Sequence, residues 1–282
     1  MTEWNIEQLT LLLSRCGAVA MEYYQAPPVE LKDDKSVVTA ADKAVEEILG
    51  DVLDNPAAGS YMIGEETIRE RGEEYIQSAL KGRCWIVDPI DGTAPYTGRI
   101  PFWGISVALA ENGVIKEGAI YFPALQELMI SNNGKALFAA NFAPGTETVP
   151  AFTPYPFKKR EFDGTSLICI SQLTAKQGKV ALSNQVIAWS TCVGSFAWVL
   201  KGLLGAYIGT LYLWDVAASI VFMQLGGFKC RLNSGVMLDE KFTTNGCFNL
   251  DKNTNGRWKL NGYFVLAPDM ETIETVEAGV TL

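Results

Sequence analysis

Residues 84–93 read Cys84-Trp85-Ile86-Val87-Asp88-Pro89-Ile90-Asp91-Gly92-Thr93, and they decide how the rest of the chain is read. Four apolar residues without polar alternation predict a strand covered on both faces. The strand runs directly into two aspartates three residues apart. Pro89 fixes the turn between them, so both carboxylates can face one point. Gly92 lets backbone approach a ligand closely. A turn or helix beginning at Thr93 would offer free N–H groups to an anion. Cation ligands beside an anion site fit a phosphate and a metal, and an all-oxygen ligand set fits Mg²⁺ or Mn²⁺ better than zinc or copper. An Asx turn could explain either aspartate alone. The hexapeptide Asp-Pro-x-Asp-Gly-Thr, however, has chance odds of roughly 10⁻⁴ in a chain of this length.

Three further acidic stretches share this character. Gly64-Glu65-Glu66 ends a short strand at Tyr61-Met62-Ile63. Trp214-Asp215-Val216-Ala217-Ala218 lies where an apolar strand turns into a helix, a place where Asp is a common N-cap. Thr39-Ala40-Ala41-Asp42 reads as a capping box with Asp in the Glu position, opening a helix that runs to about Leu53.

Composition narrows the chemistry. None of the 282 residues is histidine. This excludes imidazole general bases, Ser-His-Asp and Cys-His pairs, and His-ligated zinc. The net charge of −9 argues against nucleic acid and anionic membrane as partners and suits a protein that collects divalent cations. Cysteines at 16, 84, 169, 192, 230 and 247 form no CxxC, which argues for free thiols in a reducing cytoplasm. No signal peptide is visible, and the most apolar stretch, 196–213, contains Lys201 and three glycines and reads as a buried helix plus strand.

Hydrophobic spacing predicts a helix over 3–24 stopped by Pro27-Pro28, a polar loop at 32–36, and a helix over 73–81. Strands are predicted near 105–109, 114–122 and 126–131, with turns at Asn112-Gly113 and Asn133-Gly134. Residues 142–160 carry four of the twelve prolines. The domain seam is set there, giving an N-terminal half over 1–145 and a C-terminal half over 146–282. Beyond it strands (166–170, 186–190, 206–213) alternate with helices (173–182, 194–205, 214–225), and two or three strands close the chain. The fold class is α/β (α+β).

In this order, VTAAD (38–42), IGEE (63–66), WIVDPIDGT (85–93) and LWDVAAS…LGG (213–227) resemble the inositol monophosphatase family of Mg²⁺-dependent, lithium-sensitive phosphomonoesterases. The resemblance implies a layered αβαβα sandwich, two or three Mg²⁺ ions (with Mn²⁺ as a substitute and Li⁺ as an inhibitor), a small-molecule phosphate monoester as substrate, and a homodimer. It assigns Glu65, Asp88, the Ile90 carbonyl, Asp91 and Asp215 to metal. Thr93 and Glu65 would activate water, with Asp42 tied to Thr93. Gly92 and Thr93 would give backbone donors to phosphate, and Gly194, Ser195 and Ile208 fall at substrate-facing positions. Ile208 replaces the glutamate that inositol-specific members carry. An apolar pocket of Trp103, Tyr96, Phe196 and Ile208 would then favour another leaving group. Alternatives on the same scaffold are a 3'-phosphoadenosine 5'-phosphate phosphatase or a histidinol-phosphate phosphatase, and in another class a regulatory binding protein with little activity. Other phosphatase routes lack their motifs: no cysteine has an arginine six residues on, and there is no DxD and no GxxxxGK[ST].

Overall fold

A computed structural model describes residues 1–25, 29–31, 37–254 and 256–281. The predicted Pro27-Pro28 stop and the loop at 32–36 lie outside the described residues. Helix α1 (Ile6–Tyr24) is capped by Asn5, whose side chain accepts from the Gln8 amide. A hairpin of β1 (Val29–Leu31) and β2 (Val37–Thr39) leads into α2 (Ala40–Leu53). The predicted capping box is present: the Asp42 carboxylate accepts from the Thr39 amide at 2.8 Å, and the Thr39 hydroxyl accepts from the Ala41 amide at 3.2 Å.

Next come β3 (Ser60–Gly64), α3 (Glu73–Lys81), β4 (Arg83–Asp91), the short α4 (Thr93–Thr97), β5 (Gly104–Glu111), β6 (Val114–Phe122), β7 (Glu127–Asn132), β8 (Lys135–Ala139) and β9 (Thr153–Pro154). Strands β3 to β9 form one seven-stranded sheet in sequence order, in which only β3 and β4 run parallel. Strand β4 is buried from Cys84 to Asp91, as its unbroken apolar run predicts. Trp85 and Val87 face a core closed by α1 and α2, whereas Cys84 and Ile86 face a second core closed by α7.

The chain then passes through β10 (Ile168–Ile170), α5 (Gln172–Gln177), β11 (Lys179–Val180), β12 (Val186–Ile187), α6 (Cys192–Leu200), β13 (Ala206–Gly209), α7 (Leu213–Leu225), β14 (Lys229–Leu232), β15 (Phe264–Ala267), α8 (Met270–Gly279) and β16 (Val280–Thr281). A five-stranded sheet has the order β12-β10-β13-β15-β14. Helices α6 and α7 lie between the two sheets, and α8 closes a third core over Ile168, Ile170, Ala206 and Val265. The layers are therefore α1/α2, seven strands, α6/α7, five strands and α5/α8: the αβαβα sandwich.

The second half departs from its predicted boundaries in physically simple ways. Helix α5 stops at Gln177 because Gly178 follows, and α6 stops at Leu200, before Gly202 at φ +69°. Strand β13 ends at Gly209 because Asp215 captures the Tyr212 amide and starts α7 at Leu213. Helix α8 interrupts the closing strands. Its N-cap, Asp269 accepting from the Thr272 amide at 2.9 Å, and its buried Ile273 and Val276 are a helix-start pattern.

Candidate active site

The cleft begins at a bulge. In the β4–β5 ladder Asp88 pairs with Ser106 and Asp91 with Gly104, so β4 carries one more residue than its partner between these points. Residues three apart on a regular strand point to opposite faces. The extra residue restores the parity, and both carboxylates line the same cleft. Pro89, which has no N–H to offer a ladder, occupies this irregularity. Gly92 follows at φ +90°, and a Cβ there would lie 2.9 Å from the Thr191 side chain. Only glycine meets both constraints, and α4 starts directly after it.

The parallel β3–β4 pairing sets Gly64 beside Val87, and the Glu65 amide donates to the Val87 carbonyl at 3.2 Å. Glu65 thereby reaches the end of β4, and α7 brings Asp215 to the same point. Carboxylate oxygens of Glu65, Asp88 and Asp215 lie within 4.8 Å of one another, a group that could hold a metal ion. Asp88 is buried, and its Oδ1 has no hydrogen-bond partner. Burial, and then the charges of Glu65, Asp91, Asp215 and Asp42, push its carboxyl well above the usual range. Asp215 rises for the same reasons, burial first and then Asp91 and Glu65, opposed by the Tyr212 amide at 2.7 Å. An orphaned buried acceptor among like charges is unfavourable in a bare protein. A bound cation removes both penalties, and the oxygen-only donor set fits Mg²⁺ or Mn²⁺.

Asp91 lies in the cleft but turns toward α6. Its oxygens accept from the Thr191 hydroxyl, the Cys192 amide at 2.9 Å and the Val193 amide at 3.1 Å. Burial raises its carboxyl to about 6 against the pull of these donors. It thus accepts from the first amides of a helix about 100 residues away and ties β4 to α6 at the cleft. The Thr93 hydroxyl lies 3.3 Å from the Ile90 carbonyl and 3.4 Å from Asp42 Oδ1. Asp42 is 1% exposed, and its other oxygen serves the α2 capping box.

The opposite wall differs from expectation. Ser195 lines the cleft, with its hydroxyl donating to the Thr191 carbonyl at 2.6 Å. Gly194 does not line it; the residue lies within α6 against the ring of Phe102. Ile208 does not line it either. It is fully buried in the third core, and strand alternation turns its neighbour Tyr207 toward the cleft instead. The expected apolar pocket is absent there, because Tyr96, Trp103 and Phe196 are also fully buried core residues. Ser171, Gln172, Lys176, Ser190 and Thr210 complete a polar wall around a cavity of about 520 Å³. These residues lay outside the recognised motifs, and only the Ser171 N-cap of α5 carried a local signal.

The chain matches the sequence pattern of the inositol monophosphatase family over residues 4–245. It belongs to that family. The family comprises metal-dependent phosphoric monoester hydrolases, so the carboxylate cleft sits in a phosphatase fold. Among curated relatives, a histidinol-phosphatase of Chlorobaculum parvum is 28% identical over 79% of this chain and 84% of its own length. An inositol-1-monophosphatase of Mesorhizobium japonicum is 28% identical over 75% of this chain and 78% of its own. The solved Thermotoga maritima IMPase superposes with a TM-score of 0.68 at 20% identity, covering 96% of each chain. No helix among the described residues is long and apolar enough to cross a membrane.

Proposed function

We propose that this family member hydrolyses a small, hydroxyl-rich phosphate monoester with Mg²⁺ held by Glu65, Asp88 and Asp215, the Ile90 carbonyl and Asp91 contributing beside them. The observation that carries this reading is the convergence of three carboxylates around the unpartnered Asp88 Oδ1. Glu65, Asp88 and Asp215 would hold a divalent cation there, which when bound would supply charge neutralisation to a dianionic ester and lower the pKa of a water. The chain's own groups supply orientation. A Thr93 hydroxyl whose proton points to Asp42 keeps its lone pairs for an attacking water, and Glu65 accepts that water's other proton. Backbone N–H groups at Gly92 and Thr93 face the phosphate, and Ser195, whose hydroxyl is held by the Thr191 carbonyl, backs the opposite wall. Asp91 holds the N-terminus of α6, and with it Ser195, at a fixed distance from β4.

The polar wall of Ser171, Gln172, Thr210 and Tyr207 supports a polyol or sugar as leaving group. It does not favour a nucleotide base: Tyr207 is the one aromatic side chain among the described lining residues, and its ring is packed edge-on against Phe196 and Phe264. The histidinol-phosphatase relative supports a second reading, an amino-alcohol phosphate, since it is as similar as the inositol-1-monophosphatase. Location in the cytoplasm, inhibition by Li⁺ and assembly as a homodimer belong to the same proposal.

Phosphate release from a panel of esters (inositol phosphates, sugar phosphates, histidinol phosphate, 3'-phosphoadenosine 5'-phosphate) tests it. Mg²⁺-dependent turnover of a polyol or sugar ester is expected. Preferred turnover of the nucleotide would contradict the leaving-group assignment, and turnover of none would contradict the enzyme reading.

A further inference from the structure

One buried carboxylate has no part in the site just described. Glu46 lies on α2, one helical turn after Asp42, and is 1% exposed. Its Oε2 accepts from the Glu66 amide at 2.9 Å, while its Oε1 accepts from the Thr67 amide at 2.9 Å and the Thr67 hydroxyl at 2.6 Å. Three donors from two consecutive residues therefore converge on one side chain, and all three belong to the turn immediately after Glu65. Charge-assisted bonds of this kind are short and directional, and burial strengthens them. A second observation agrees. A Cβ on Gly64 would lie 2.3 Å from Glu46 Oε1, so the carboxylate fills the space that the glycine of Gly-Glu-Glu leaves open.

We propose that Glu46 is a positioning residue that fixes the Glu65 carboxylate, so that helix α2 sets both sides of the water-binding point: Asp42 through Thr93 and Glu46 through the 65–67 turn. Glu65 is held from two directions. Its own amide is anchored to the Val87 carbonyl of β4, and the turn that follows is anchored to α2. Residues four apart on a helix share one face. A single rigid element thus keeps Thr93 and Glu65 in register without either carboxylate of α2 touching substrate. The inference rests on the role given to Glu65 above.

The test uses the full chain. Glu46→Gln keeps the volume but presents an NH₂ group to donors that need an acceptor. Gly64→Ala displaces the carboxylate and leaves its charge. Thr67→Val removes one donor, and Thr67→Ser retains it. In metal-free protein, hydrogen exchange at the Glu66 and Thr67 amides should speed up at least about tenfold in Glu46→Gln and Gly64→Ala, with the Thr39 amide unchanged. Mn²⁺, read by paramagnetic resonance, should bind about tenfold more weakly to both. At saturating metal kcat should fall while KM stays within about twofold. Thr67→Val should show the same pattern more weakly, and Thr67→Ser should match the parent. If Glu46→Gln does not fold, Gly64→Ala and the Thr67 pair decide the matter.

A folded Glu46→Gln with parental Mn²⁺ affinity and kcat would overturn the assignment, as would a general loss of thermal stability with no local change in exchange. A parent chain that binds no Mn²⁺ would overturn the reading of Glu65 as a metal ligand and, with it, the positioning role.

Discussion

The two walls of the cleft are built by different means. The acidic wall comes from strand ends and helix starts, where each carboxylate has a local backbone reason for its direction. Asp88 and Asp91 are brought to one face by a bulge, Asp215 and Asp42 close capping boxes, and Glu65 follows a parallel strand pair. The polar wall is assembled from α5 and its cap, the end of β13 and the start of α6, segments far apart in sequence. In the proposed reading, local structure sets the reaction chemistry and tertiary packing sets which ester is accepted. Substitutions on the acidic wall should therefore act on turnover, and those on the polar wall on recognition.

The largest expected effect is at Asp88. Asp88→Asn should lower kcat by at least about 10³-fold, since the central carboxylate of the cluster loses its charge. The same change should raise the melting temperature of metal-free protein by roughly 2–4 °C, because it removes a buried like-charge contact. A calorimetric scan in chelator checks this sign. A fall in both quantities would mean that Asp88 is a structural hydrogen-bond acceptor.

Asp91 joins the walls, so its loss should appear on both sides of the comparison. Asp91→Ala should cost about 1–2 kcal/mol of stability, measured by urea unfolding, because the first two amides of α6 lose their carboxylate acceptor. It should also reduce kcat/KM about 10²-fold through displaced Ser195. On the polar wall, Thr210→Val and Lys176→Ala should raise KM roughly three- to tenfold with kcat within twofold. Equal losses in kcat would erase the distinction between the walls.

The smallest effect is a pH slope. Asp91 titrates near 6 in the fold against 3.8 outside it, and Asp88 and Asp215 are also raised. The folded state then binds more protons than the unfolded chain above pH 3.8, so metal-free stability should fall as pH rises through about 4 to 6 and beyond. Saturating Mg²⁺ should flatten this slope, and chelator should restore it. A slope unchanged by Mg²⁺ would separate these carboxylates from metal binding.

The same comparison explains what was legible in the sequence. The acidic wall could be read because a strand end, a proline and a glycine constrain a few consecutive residues. The unalternating β4 carried only a strand covered on both faces, and the layered order of the fold was legible through the resemblance of the four motifs. The leaving-group wall was hidden for the converse reason. Whether Ile208 or Tyr207 faces the cleft depends on the register of β13 between β10 and β15, and one residue of register exchanges them. Tyr96, Trp103 and Phe196 are apolar enough for either a pocket or a core, and only packing assigns them to the core. Glu46 was missed because a glutamate at an ordinary helical position carries no sign of the turn it holds.

The central claim is that Glu65, Asp88 and Asp215 hold the cation on which phosphate release depends. Calorimetric titration of chelator-treated protein with Mg²⁺, run beside phosphate release at each concentration, tests it most directly. Saturable Mg²⁺ binding that tracks turnover in the parent chain, with both lost together in Asp88→Asn, is the predicted result. Turnover that persists in chelator, or an Asp88→Asn protein that binds Mg²⁺ and releases phosphate like the parent, would contradict it.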